Sequence, residues 1–270
     1  MALAALTFPY FDPVAFYVFS WPVHWYALAY VAGLLFASWY LKRLVTFPKL
    51  WGAQRPTLTV PQVDDIFMWS ILGVIVGGRL GYVLFYKPQF YFANPAEILK
   101  TWDGGMSFHG GFLGVVLGCY LFARKNEIQF DRLLDLAAAV STVGLGLGRI
   151  ANFVNAELVG RTTDVPWAVM FPGETLARHP SQLYQAALEG LVLFVVIRIA
   201  THRFQVLQKP GRAAGIFAVG YGLARIFSEY FREPDAHLGY ISGFATMGML
   251  LSVPMVLAGL WMILRSRTAP

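Results

Sequence analysis

Charge is what this chain has least of. Asp, Glu, Lys and Arg together make up 13% of its 270 residues, against 57% hydrophobic residues. That balance argues against an ordinary soluble domain of this length. There is one cysteine, Cys119, which excludes an intrachain disulfide and a cysteine metal site. Cys119 lies midway along an apolar run and reads as packing. The histidines at 24, 109, 179, 202 and 237 are scattered without metal-ligand spacing. The first cation is Lys42, so a charged, cleavable leader is not expected. No repeat, low-complexity tract or linker divides the chain, and a single transmembrane domain over residues 1–270 is expected.

Long apolar runs are what the chain does have. Measured against the ~20 residues needed to cross a bilayer, they fall at 23–41, 66–86, 108–122, 133–153, 183–200, 216–230 and 243–264. The third and sixth are short or interrupted. Lys and Arg then set the orientation. Thirteen follow the odd-numbered runs: Lys42, Arg43, Lys49, Arg55, Arg124, Lys125, Arg132, Arg198, Arg203, Lys209, Arg212, Arg265 and Arg267. Five lie on the opposite side: Lys87, Lys100, Arg161, Arg178 and Arg232. The expectation is an all-α integral membrane protein of seven transmembrane helices, with its N-terminus outside and its C-terminus in the cytoplasm. The net charge of +6 is then mainly an insertion signal. The basic residues form no stripe, which argues against a nucleic-acid partner.

The first ~22 residues, rich in aromatics and proline, are expected at the outer membrane interface. Two outer segments, 87–107 and 155–180, carry turn signals and are expected to build a small outward-facing head. Within the second, Trp167 to Phe171 reads as a short strand. Glycines inside the runs (among them Gly73, Gly77, Gly81, Gly110, Gly114 and Gly118) point to close helix packing.

Three arginines, Arg79, Arg149 and Arg225, fall inside apolar runs. Charge at that depth is costly and usually has a task. Arg149 opens a polar group with Asn152, Asn155 and Glu157. Tyr221, Arg225, Glu229 and Arg232 follow at intervals of four, four and three, which places them on one helix face. Taken alone, Arg225 and Glu229 read as an ion pair neutralising itself. A second arginine at similar depth, with little acid nearby, points instead to an anionic ligand, and planar guanidinium matches phosphate oxygens. His109 precedes Gly110-Gly111 at the start of the third run. It reads either as a boundary histidine bonded to a carbonyl or as a proton acceptor. Tyr26 fits an aromatic belt or a site wall. Arg79 and Glu189 are further buried charges whose partners sequence does not name.

The run from Gly148 to Gly160 resembles the signature of the prolipoprotein diacylglyceryl transferases, through Gly148, Arg149, Ala151, Asn152, Phe153, Asn155, Glu157 and Gly160. His109-Gly110-Gly111 is similar to the family's His-Gly-Gly segment. Tyr221-Gly222, Arg225, Glu229 and Arg232-Glu233-Pro234-Asp235 resemble its last polar motif. Gly78-Arg79-Leu80-Gly81-Tyr82 and His179-Pro180-Ser181-Gln182-Leu183-Tyr184 also look like family segments. The resemblance covers nearly the whole chain.

It implies a bacterial inner-membrane enzyme. The reaction would move the sn-1,2-diacylglyceryl group of phosphatidylglycerol to the lipobox cysteine of a prolipoprotein signal peptide, releasing glycerol phosphate. No metal or organic cofactor would be needed. The leaving group is already a stable anion, so it calls for fixed positive charge in a dry site. Arg149 and Arg225 would supply it, with Asn152 and Asn155 as donors and Arg232 at the headgroup. Glu157 and Glu229 would orient the arginines or bind glycerol hydroxyls. Tyr26, Tyr221 and Gly160 would belong to the lipid site. A thiol with free pKa near ~8.5 attacks only as thiolate. Arginine is expected to be the larger source of its activation, with His109 as helper. Two rival readings are a lipid or anion transporter and another phospholipid-headgroup enzyme.

Overall fold

The computed structural model describes residues 5–234 and 245–266. Asp235, His237, Arg267 and the first two positions of the seventh expected run lie outside the described residues. The chain forms two compact units. One comprises residues 1–41, 49–54 and 134–270; the other comprises 42–48 and 55–133.

The smaller unit is built on α2 (Val60–Phe85) and α4 (Phe108–Lys125). Thr59 and Gln62 form a reciprocal cap that starts α2, and Ser107 accepts from the Gly110 N–H to start α4. The two helices run antiparallel along a seam of glycines spaced four apart. Gly73, Gly77 and Gly81 of α2 face Gly110, Gly114 and Gly118 of α4. A methyl group at Gly77 or Gly114 would strike backbone of the opposite helix. Without a hydrophobic drive between helices in lipid, this close backbone approach is what holds the pair. Gly114→Leu should therefore force α2 and α4 apart and lower stability by about 3 kcal/mol, read as an earlier thermal transition in detergent micelles.

The segment between these helices is more regular than its turn signals suggest. It contains α3 (Pro88–Ala93) and two 3-10 turns, Pro95–Leu99 and Thr101–Asp103. Arg79 gathers it. Its guanidinium donates to the carbonyls of Glu97 (2.5 Å), Ile98 (2.7 Å), Lys100 (3.0 Å), Gly104 (2.6 Å) and Gly105 (3.1 Å). Arg79 is thus a loop clamp within its own unit.

The larger unit holds most of α1 (Trp25–Val45) and of α5 (Phe130–Val154), together with α6 (Ser181–Gln185), α7 (Leu193–Phe204), α8 (Arg212–Glu229) and α9 (Met247–Arg265). A π-helical stretch, Ala186–Val192, joins α6 to α7 in one continuous run. Close glycine contacts recur here: Gly33 with Gly144, Gly146 with Gly190, and Gly215 with Gly259. The buried carboxylate of Asp135 on α5 accepts from the backbone N–H groups of Gly211 (2.7 Å) and Ala214 (2.8 Å), at the start of α8. Gly211 takes φ +81° there and offers no side-chain cap of its own.

Among the described residues, five helices are long and apolar enough to cross a membrane: α1, α2, α5, the α6–α7 run and α9. By that measure the count is five rather than seven. The third and sixth expected runs do form helices, α4 and α8, of 18 residues each. Glycine, His109, Arg124 and Lys125 dilute α4, while Arg212, Arg225 and Glu229 interrupt α8. The side chains that make α8 chemically interesting are those that weaken its apolar signature.

Short strands flank the helices. β1 (Leu6–Thr7) pairs in parallel with β4 (Val169–Met170), which bears out the strand expected between 167 and 171. Phe8, Val169 and Phe171 form a small core there, with Phe153 packed against it. β2 (Val14–Val18) and β3 (Trp21–His24) form an antiparallel hairpin that leads directly into α1. Its aromatics Tyr17, Phe19 and Trp21 are exposed.

Candidate functional site

The polar residues of α5 and α8 come together inside the larger unit. Arg149 lies one turn before the end of α5. Its Nε donates to Glu189 Oε2 at 3.1 Å, and the Glu189 side chain is fully buried. Tyr221 of α8 is a neighbour of Arg149. Arg225, one turn further along α8, reaches Glu229 Oε1 through Nη2 at 2.7 Å. Arg232 shares that oxygen at 3.3 Å, and Thr246 donates to the other at 2.6 Å.

The expectation of little acid near the two arginines is corrected here. Each has one buried carboxylate: Glu229 follows Arg225 at helical spacing, whereas Glu189 reaches Arg149 from another helix and no spacing in the sequence could show it. Neither pairing consumes its arginine. Arg149 meets its carboxylate through Nε, leaving the Nη edge for other partners. Arg225 Nη1 is enclosed with no hydrogen-bond partner among the described residues. A buried guanidinium N–H without an acceptor is expensive, which marks a place where an acceptor belongs.

The carboxamides form the adjoining group. Asn152 donates to the Tyr26 hydroxyl at 3.0 Å and to Glu157 Oε2 at 3.3 Å, and Asn155 donates to Glu157 Oε1 at 3.4 Å. Tyr26, Asn152, Asn155 and Glu157 are thereby one cluster. Glu157 thus aligns the two asparagines rather than the arginines. The backbone is strained to achieve this. Ala156 (φ +54°) and Leu158 (φ +53°) are non-glycine residues in the left-handed region, an arrangement that concentrates at functional sites. Gln182 supports the turn by donating to the Glu157 carbonyl at 2.5 Å.

Gly160, expected at the lipid, sits where three stretches of backbone cross. A methyl group there would meet the carbonyls of His179 and Phe231. Its N–H donates to the His179 carbonyl at 3.0 Å, and it bridges to Arg232. The glycine lets the signature close onto the end of α8. Arg161, read from sequence only as an outer charge, locks the same junction by donating to the carbonyls of Glu229 (2.9 Å) and Arg232 (3.0 Å). Beside it, burial holds the His179 imidazole below its usual range, and its Nδ1 lies 3.1 Å from the Tyr184 hydroxyl.

His109 belongs to the other unit. It is exposed in the first turn of α4, with its ring edge-on to Phe108. Of the residues that sequence singled out for a site, Tyr26, Arg149, Asn152, Asn155, Glu157, Tyr221, Arg225, Glu229 and Arg232 lie in the larger unit. Glu189, Thr246, Arg161 and Gln182 join them as residues that sequence did not assign to it. Among the described residues, no group of three or more His, Cys, Asp or Glu is placed to hold a metal ion.

The sequence profile of the prolipoprotein diacylglyceryl transferase family matches residues 13–265. A phosphatidylglycerol–prolipoprotein diacylglyceryl transferase of Brucella anthropi is 54% identical over 269 residues, covering 98% of this chain and 96% of that protein. Proteins of the same name from Brucella ovis and Brucella abortus are each 53% identical over 268 residues, covering 98% of this chain and 95% of theirs.

Proposed function

The chain belongs to the prolipoprotein diacylglyceryl transferase family, and we propose that the arginine cluster of α5 and α8 is where its reaction takes place. The enzyme transfers the sn-1,2-diacylglyceryl group of phosphatidylglycerol to a prolipoprotein cysteine, the first step of lipoprotein maturation. In this reading the acceptor is the lipobox cysteine of the signal peptide. Its thiolate sulfur attacks the glyceryl carbon that carries the phosphodiester oxygen. The carbon–oxygen bond breaks, its electron pair stays on oxygen, and the products are a thioether and glycerol phosphate.

The observation that carries this reading is the spare capacity of the two guanidinium groups. Arg149 and Arg225 are each anchored by one carboxylate, in a largely buried setting, with N–H groups left over. Such an arrangement receives phosphate oxygens without having to reorganise, and charge developing on the leaving oxygen is stabilised strongly in a dry site. Glu229 orients Arg225, and Glu157 fixes Asn152 and Asn155, of which Asn155 keeps an amide hydrogen to offer. In this reading Tyr26 and Tyr221 line the headgroup site and Arg232 helps at the headgroup. The same positive field favours the thiolate form of the incoming cysteine.

Arginine contributes most of that activation in this reading, and the helper role of His109 rests on the resemblance of His109-Gly110-Gly111 to the family segment alone. His109→Gln should then slow transfer about tenfold, less than the 10²–10⁴ expected when a sole base is lost. A dead variant that still binds phosphatidylglycerol would reverse the ranking.

The membrane frame completes the proposal. α4 and α8 join the five apolar helices as spans, giving seven. The N-terminus and the segments 87–107 and 155–180 face outward from the bacterial inner membrane, and the C-terminus faces the cytoplasm. The thirteen-to-five division of Lys and Arg supports this orientation. The test is direct: purified protein, phosphatidylglycerol and a lipobox peptide should yield a diacylglyceryl mass gain on cysteine together with glycerol phosphate. Glycerol phosphate without peptide modification would overturn the assignment of the acceptor.

A further inference from the structure

Glu189 is placed strangely for a residue that only adds strength. It is fully buried, and it accepts a hydrogen bond from Arg149 through Nε. Its second oxygen, Oε1, is enclosed with no hydrogen-bond partner among the described residues. Strong arginine–carboxylate pairs are frequently bidentate. A buried pair with an oxygen to spare is a poor source of stability. Glu189 also lies on the π-helical stretch 186–192, and such turns inside helices occur often at functional sites.

The reaction presents a difficulty that guanidinium groups alone do not solve. The phosphodiester of the lipid substrate is a monoanion. The glycerol phosphate that leaves is a monoester, carrying a charge of roughly −1.5 to −2 near neutral pH. Bare arginines in a low-dielectric site would hold this product more tightly than the substrate. Each turnover would then end in a trapped product.

We infer that Glu189 is a positioning residue that prevents this trapping: it holds Arg149 by Nε and offsets one guanidinium charge, so that the site suits a phosphodiester monoanion and releases the more highly charged monoester. The inference rests on the functional reading above. It assigns Glu189 a task in product release beyond pairing with Arg149.

Glu189→Gln keeps the shape and an oxygen acceptor for Arg149 Nε while removing the charge. With phosphatidylglycerol and a lipobox peptide in detergent micelles, this variant should be inhibited by added glycerol phosphate about tenfold more strongly than the wild type, as expected for loss of one nearby charge. Its kcat should fall, its KM for phosphatidylglycerol should stay level or drop, and a first-turnover burst should precede slow cycling. Glu189→Asp keeps the charge but shortens the reach. It should lose kcat while its inhibition by glycerol phosphate stays near the wild-type value. General damage to the fold would weaken glycerol phosphate binding in both variants. Unchanged or weaker inhibition in Glu189→Gln overturns the inference, as does tighter inhibition in Glu189→Asp. If Glu189→Gln does not accumulate as folded protein, the Asp variant decides alone. A wild-type protein that transfers no diacylglyceryl group would instead overturn the functional reading, before either variant is compared.

Discussion

Arg149→Ala and Arg225→Ala should each reduce diacylglyceryl transfer by at least ~10³-fold, measured as the mass gain on a lipobox peptide. Loss of a single donor from a site that stabilises a developing oxyanion costs about 10²–10³ in rate. In the proposed site each arginine would contribute a full charge and more than one donor, in largely buried surroundings. Arg149→Lys should recover little. An ammonium is a compact point charge, and it cannot bond Glu189 through one edge while presenting a planar fork along another. The single alanine variant of Arg149 also leaves Glu189 as an uncompensated buried charge, which costs about 3–5 kcal/mol. That confounds activity with stability. The double variant Arg149→Ala/Glu189→Gln separates them. It should regain most of the lost thermal stability, read as the unfolding midpoint in micelles, and remain inactive. A double variant that regained transfer would show that Arg149 is a structural partner of Glu189 and nothing more.

Asp135→Ala should have the largest effect on stability of any change outside the arginine cluster. Its carboxylate accepts two backbone hydrogen bonds at the start of α8, at 2.7 and 2.8 Å, and it is 1% exposed. Hydrogen bonds to charged groups contribute about 1.5–3 kcal/mol each, and removing the acceptor also strands the donors in a buried place. A combined loss of about 3–5 kcal/mol follows. The staple has a second consequence. It ties α5 to α8, the two helices that carry Arg149 and Arg225, so activity should fall at temperatures where the variant remains mostly folded. Asp135→Asn should recover only part of this, because its one amide oxygen replaces one acceptor while its NH2 group meets the other backbone N–H. Thermal unfolding in micelles, with transfer assayed well below the midpoint, distinguishes the two variants. Equal losses for Ala and Asn would show that the carboxylate acts through something other than these caps.

Much of the architecture is legible because lipid imposes few options. Apolar length marked α1, α2, α5, the α6–α7 run and α9, and all are helical over most of the expected ranges. The glycine rows of α2 and α4 were readable as packing devices, although their matching register was not. The strand at Val169–Met170 showed in its composition, but its partner Leu6–Thr7 lies more than 160 positions away. The count of spans is where apolar length is least decisive. α8 carries Arg225 and Glu229 on a helix of 18 residues, so the helix with the candidate arginine is also a poor membrane signal.

The site divides along the same line. Arg225 with Glu229, and Asn152 with Glu157, are local, and their spacing on helix or turn brings them together. Arg149 with Glu189, Glu229 with Thr246, and Arg161 with the end of α8 join distant parts of the chain. No periodicity encodes such pairings. Gly160 shows the same limit from another side. Its place in the signature was plain, whereas its task, letting three backbone stretches cross, depends on where residues 179 and 231 come to rest.

By itself, then, the order of residues determined that this is a helical membrane protein and which guanidinium and carboxamide groups stand out as candidates for its chemistry, because burying charge in lipid is too costly to occur without cause. Only the tertiary structure decided how strongly those cations act. Their field depends on which carboxylates stand beside them, and Glu189 reaches Arg149 only when α5 and the π-helical stretch pack glycine to glycine at Gly146 and Gly190.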